Sequence, residues 1–318
     1  MRTEWILVNL GTPEAPTAEA VRAFLGEFLS DPMVVDFPQW LWRPILHGIV
    51  LRTRPPKVAE AYEAIWTPDG SPLAAATRRM VERAGELLGG RARVSLAYRY
   101  GKERVDRVVE RALERADQVV VTHLFPQPTA SSSGTVEVLV RDTAKRLGAE
   151  ERVRLAPLAP DADGYVAALA ERVREAEARF EDGRADHLVV SFHGIPERVD
   201  KREGSTYRGA CERTYAALVA ALERPADTAT LAFQSKFGPG AWLSPATDQV
   251  LVERARAGLA SVLIATPGFL TPGLETIEEL GMRGREDFLA AGGRELRLAD
   301  PPGDHPRCLR AMAESAGL

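Results

Sequence analysis

Short strand-forming runs alternate with longer helical stretches along this chain, and that alternation constrains the fold more than any other feature. The runs are Glu4–Leu10, Arg93–Tyr98, Gln118–Leu124 and Val153–Ala156, then His187–Phe192, Thr230–Gln234, Ser261–Thr266 and Glu295–Ala299. Between them the patterning predicts helices over Thr17–Leu29, Pro56–Ile65, Pro72–Leu88, Lys102–Ala116 and Thr135–Leu147. Further helices are predicted over Tyr165–Phe180, Thr206–Leu222, Pro245–Arg256 and Leu274–Ala290, with His305–Ala316 closing the chain. Such alternation predicts parallel sheets covered by helices on both faces. The runs divide equally between the two halves. The expected fold is therefore α/β, with two similar doubly wound, Rossmann-like domains and a cleft between them. Residues 1–155 and 156–300 would form the domains and 301–318 a C-terminal helix. The crossing lies near residues 150–162, where Pro157 and Pro160 stiffen the chain. No sequence repeat relates the halves.

A length of 318 residues suits about two domains. The net charge of -4 and pI near 5.9 give no basic face for nucleic acid. Arginines interleave with glutamates on stretches such as Lys102–Ala116, as on a solvated helix surface. Cys211 and Cys308 stand far apart with no Cys-x-x-Cys, so neither a zinc knuckle nor an iron–sulfur cluster is expected. The start, Arg2-Thr3-Glu4-Trp5-Ile6-Leu7-Val8, looks like a first strand and not a signal peptide. No run reaches the ~18 apolar residues of a spanning helix. The expected location is the cytoplasm. Oligomeric state leaves no trace in the residues.

Nucleotide-binding and hydrolase motifs are missing: no G-x-G-x-x-G follows a strand, and no Walker A or G-x-S-x-G occurs. Chemistry has to come from other strand ends, since side chains at the carboxyl edge of a parallel sheet line the ligand crevice. His193 ends the run Leu188-Val189-Val190-Ser191-Phe192, and Gly194 and Pro196 break the backbone at once. A histidine there can take a proton near neutral pH or bind a metal. On its own it could equally do no more than bond its own loop. Thr266–Glu279 follows another strand. Its Glu275 and Glu279, four apart, would share a helix face, where the helix N-terminus favours their ionised forms. A solvated acidic turn would show the same residues. A histidine facing a carboxylate suits a divalent metal or a proton transfer.

Other strand ends add further material. Phe233–Trp242 supplies a lysine, an amide and an indole, either as a packed loop or as the wall of a flat apolar pocket. The serine run Ser131-Ser132-Ser133 could present donors at a helix N-terminus. Phe37, Trp40, Leu41, Trp42 and Leu46 crowd a proline-bounded segment, 36–51. If exposed, that segment marks a ligand mouth or a membrane contact; if buried, it is ordinary core.

Taken together these residues resemble ferrochelatases, the enzymes that insert iron into porphyrin at the end of heme synthesis. The matching pieces are Leu7-Val8-Asn9-Leu10-Gly11-Thr12-Pro13, Tyr62, Gly70-Ser71-Pro72-Leu73 and Arg99. Then come Ser191-Phe192-His193-Gly194-Ile195-Pro196, Phe233-Gln234-Ser235-Lys236-Phe237-Gly238 with Trp242, and Leu274-Glu275-Thr276 with Glu279. The resemblance implies a porphyrin held between two domains, and ferrous iron as substrate with no tightly bound cofactor. It implies His193 and Glu275 as catalytic residues and metal ligands, with Glu279 on the proton path. Tyr62, Ser71, Arg99, Lys236, Trp242 and Phe269 would line or support the porphyrin site. The 36–51 segment would be a lip over that site, in peripheral contact with the inner face of the cell membrane.

Three positions depart from the family pattern. Gly273 stands where many members have a histidine, and Pro128 replaces an aromatic residue common after Pro-Gln. Leu10 stands where a coproporphyrin-type subgroup has a tyrosine, which favours protoporphyrin over coproporphyrin III. A cobalt or nickel chelatase of this type would be richer in histidine than His47, His123, His187, His193 and His305 make this chain. A two-domain binding protein would not need a histidine facing an acidic pair.

Overall fold

The computed structural model describes residues 2–236, 238 and 240–318, so Phe237 of the quoted loop lies outside the described residues. All the expected strands form, displaced by a residue or so at their ends. They are β1 Thr3–Asn9, β2 Arg93–Tyr98, β3 Gln118–His123, β4 Val153–Leu155, β5 His187–His193, β6 Ala229–Gln234, β7 Ser261–Ala265 and β8 Glu295–Leu298. The chain forms two compact units, one of residues up to Leu158 with Met312–Leu318, the other Ala159–Ala311. Each holds one four-stranded sheet, ordered β2-β1-β3-β4 in the first and β6-β5-β7-β8 in the second. Every pairing is parallel. The two halves are therefore wound alike despite sharing no repeat, as the run spacing predicts.

Helices follow in chain order: α1 Ala18–Leu29, α2 Gln39–Ile45, α3 Leu51–Ile65, α4 Pro72–Leu88, α5 Val105–Leu113 and α6 Thr135–Arg146. Then come α7 Asp163–Glu177, α8 Glu197–Arg202, α9 Thr206–Ala221, α10 Thr247–Arg256, α11 Arg285–Ala290 and α12 Pro306–Ser315. In the first unit Ile6, Val8, Ala97, Val119 and Val121 pack on Val105, Val109, Val136 and Val140 of α5 and α6. In the second, Val189, Ala232, Val262 and Ile264 pack on Val250, Leu251, Leu280 and Phe288. Near-continuous apolar strands such as these suit a sheet covered on both faces.

Two helical expectations change. The helix expected from Pro56 begins at Gln39: α2, a π-helical turn over Leu46–Val50 and α3 run on without a break. Proline normally stops a helix because it lacks an N–H. Here Pro55 leaves the Leu51 carbonyl without its helical donor, and the Arg22 Nε bonds that oxygen at 2.8 Å instead. The helix expected over Leu274–Ala290 is π-helical across Glu275–Gly284 and α-helical only from Arg285. Among the described residues no helix is long and apolar enough to cross a membrane.

Candidate functional site

In the second unit the carboxyl ends of β5, β6 and β7 bring together His193, Ser235, Phe269 and the π-helix that starts at Glu275. His193 is exposed, whereas the rest of β5 is buried. Its Nδ1 lies 2.8 Å from the Gly194 carbonyl oxygen. A carbonyl only accepts, so in the neutral ring Nδ1 carries the proton and Nε2 keeps its lone pair. The Gly194 N–H donates to the Gln234 carbonyl at 2.7 Å. A Cβ on Gly194 would stand 2.7 Å from that same oxygen, so only glycine fits here. The ring of Phe269 lies 6.5 Å from the imidazole, tilted by 49°.

A buried polar chain ties the π-helix to the sheet. Ser191 Oγ donates to Gln234 Oε1 at 2.7 Å, and Gln234 Nε2 donates to the Glu275 main-chain oxygen at 3.2 Å. The Glu279 carboxylate accepts from the Ser235 N–H at 2.7 Å and from its hydroxyl at 2.5 Å. Ser235 adopts a left-handed φ of 62° to aim both donors at one carboxylate. Strain of this kind collects at functional sites. Burial pushes the Glu279 carboxyl above the usual carboxylate range. The Ser235 bonds and the charge of His193 oppose that rise, and the neighbouring Glu275 adds to it. Placement at a helix start suggests the opposite direction, but desolvation outweighs the helix field here. Glu278 points elsewhere, into an ion pair with Arg283 at 2.8 and 2.9 Å. The i→i+5 spacing of that pair is what a π-helix sets on one side.

Lys236 is exposed and Trp242 half-buried. Both line a cavity of about 80 Å³ with Gly194, Phe233, Gln234 and Gln249. That is well short of the ~300 Å³ at which pockets for whole ligands begin, so the cavity admits a substituent and not a macrocycle.

The remaining candidates lie in the first unit and have local partners. Tyr62 packs edge-on against Trp66, ring centroids 6.1 Å apart. Ser71 is buried and caps α4, accepting from the Ala74 N–H at 3.2 Å ahead of Pro72. Arg99 donates to Asp31 at 2.6 Å and to Thr135 Oγ1 at 2.7 Å. Sequence reasoning passed over Asp31. It also accepts from Tyr100 and Thr135, and so fastens the chain ahead of the 36–51 segment to the residues after β2 and to the start of α6. In that segment Trp40 is 76% exposed, and Phe37, Leu41, Ile45 and Ile49 are exposed too. Trp42 is half-buried, and its indole N–H caps the Leu29 carbonyl at 2.7 Å.

Among the described residues no group of three or more His, Cys, Asp or Glu side chains is set to hold a metal. Cys211 and Cys308 are both buried thiols.

Two four-stranded units wound alike, one carrying a histidine and carboxylates at its sheet edge, define an α/β protein of the chelatase type. The fold matches that of SirB from Bacillus subtilis with Fe3+, at a TM-score of 0.53 and 14% identity, covering 99% of this chain and 96% of that one. It also matches DR2241 from Deinococcus radiodurans, a multi-domain protein with structural similarity to chelatases, at 0.56 and 14% identity, covering 99% of this chain and 55% of that one. The family model for ferrochelatase matches residues 3–316. A ferrochelatase from a Polaromonas species is 40% identical over 98% of this chain and 85% of its own length. One from Nitrosomonas europaea is 38% identical over 96% and 85%. The chain belongs to the ferrochelatase family. It is a metal chelatase of heme biosynthesis, and ferrous iron and a porphyrin are its substrates.

Proposed function

We propose that the porphyrin is protoporphyrin IX and that His193 and Glu275 meet the iron and the pyrrole protons. Insertion releases two protons, so the site needs acceptors as well as metal donors. The observation that carries the reading is the His193 Nδ1 contact with the Gly194 carbonyl, which leaves Nε2 as a free lone pair at an exposed strand end. That atom can accept a proton or bind iron. One imidazole and one carboxylate are fewer donors than a closed metal site uses, so an ion meeting them keeps open positions for the porphyrin nitrogens. Glu279, with its raised carboxyl, suits the next acceptor, since a matched pKa helps each proton step. No resident cofactor has a role in this scheme.

Phe269 and Trp242 supply flat apolar surface beside the histidine, and Lys236 a cation for a porphyrin carboxylate. Tyr62, Ser71 and Arg99 of the first unit are proposed porphyrin-site residues on the family resemblance alone, Ser71 being fixed by the α4 cap and Arg99 by Asp31. The apolar 36–51 segment would rest on the inner face of the cell membrane of a cytoplasmic enzyme and receive the poorly soluble porphyrin there. Leu10 in place of a tyrosine favours protoporphyrin over coproporphyrin III. Anaerobic initial rates with ferrous iron and each porphyrin test this choice. A higher kcat/KM for protoporphyrin is expected, and a higher value for coproporphyrin III would overturn it.

A further inference from the structure

Tyr207 is buried at the start of α9, fourteen positions after His193, and no step described so far uses it. Its hydroxyl donates to the main-chain oxygen of His193 at 2.6 Å. The turn before it is shaped to bring it there. Gly204 and Ser205 take left-handed φ values of 71° and 55°, a strained conformation for the serine. Asp200 is buried, and its carboxylate accepts the Arg208 N–H at 3.1 Å, fixing the first turn of α9.

The backbone at His193 and Gly194 is thereby held at three points. The His193 oxygen takes the Tyr207 hydroxyl, the Gly194 N–H bonds the Gln234 oxygen, and the Gly194 oxygen takes His193 Nδ1. Only the first of these comes from a side chain outside the sheet edge. We infer that Tyr207 is a positioning residue for the reaction: through the backbone it holds the imidazole so that Nε2 faces the incoming porphyrin and iron. The inference rests on the role proposed for His193. A base held loosely still lets substrates bind but reaches the transition state less often, so the effect belongs in kcat and not in KM.

The test is Tyr207→Phe in the full chain, assayed by steady-state iron insertion beside Leu218→Val and His193→Ala. Leu218 is buried on the same helix, about three turns beyond Tyr207, so it reports what loosening α9 does by itself. Tyr207→Phe should lower kcat about tenfold, with KM for porphyrin and iron within about twofold. Leu218→Val should lower the melting temperature at least as much and leave kcat unchanged. Unchanged kcat in Tyr207→Phe, or an equal kcat loss in Leu218→Val, would overturn the inference while His193→Ala remained inactive. Activity in His193→Ala would instead overturn the role of His193, and the inference with it.

Discussion

At the scale of single residues, environment separates side chains that look alike in sequence. Glu275, Glu278 and Glu279 lie within five positions. Glu279 is clamped by Ser235, and Glu278 is spent on Arg283. Glu275 has its main-chain oxygen tied to Gln234, and its carboxylate stands 3.3 Å from where a Gly273 Cβ would be. A β-carbon at 273 would crowd that carboxylate, so glycine there leaves Glu275 room. Steady-state insertion rates should therefore fall at least ~10-fold in Glu275→Gln and by less than about twofold in Glu278→Gln. Equal losses would mean that the Glu278–Arg283 pair shapes the site.

Elements show why some of the site was legible and some was not. Strand β5 could be read from its apolar run, and it carries a histidine at each end. His187, at the foot, is buried and bonds Thr230 through Nε2 at 2.8 Å. Burial first, then the charges of Arg254 and Arg224, lower its pKa from 6.5 to about 4. The unfolded chain takes this proton and the folded one resists it, so stability is complete above about 6.5 and is lost as pH falls towards about 4. Urea unfolding across that window should show a shallower acid decline for His187→Gln than for the unmutated protein. Parallel slopes would assign the decline to other groups.

The π-helical pieces were not legible. Hydrophobic periodicity separates strands from α-helices but carries no mark for an i→i+5 turn. The helix from Gln39 to Ile65 was hidden for a related reason: the donors that replace the missing N–H groups, such as Arg22, lie far away in the chain. Exposure now separates the tryptophans that sequence treated alike. Trp40→Ser removes an exposed ring, so the melting temperature should move by less than about 2 °C. Sedimentation with anionic phospholipid vesicles should show that binding is lost in the same variant. Undiminished vesicle binding would contradict the membrane role of the lip.

At the scale of the whole molecule, the 2-1-3-4 strand order occurs in both units although their residues share no repeat. A doubly wound sheet asks only for apolar strands, covering helices and short turns, and many sequences meet that demand. The site asks for more. His193, Lys236, Trp242, Phe269, Glu275 and Glu279 could be picked out as candidates because they sit in distinctive runs at or after strand ends. Ser235 in its left-handed conformation, Asp31 against Arg99 and Tyr207 against the His193 carbonyl could not, because their partners are 44, 68 and 14 positions away in the chain. Ser71 was proposed as a site residue from its motif, and its capping role emerged only with the start of α4.

The central claim is that His193 acts on the inserted iron or on the pyrrole protons and does not merely hold the porphyrin. It is tested most directly by mixing the protein anaerobically with protoporphyrin and ferrous iron and following the porphyrin absorption bands. The unmutated chain should convert the porphyrin. His193→Ala should bind it with similar affinity but insert iron at least ~10²-fold more slowly. Insertion by His193→Ala within threefold of the unmutated rate would contradict the account.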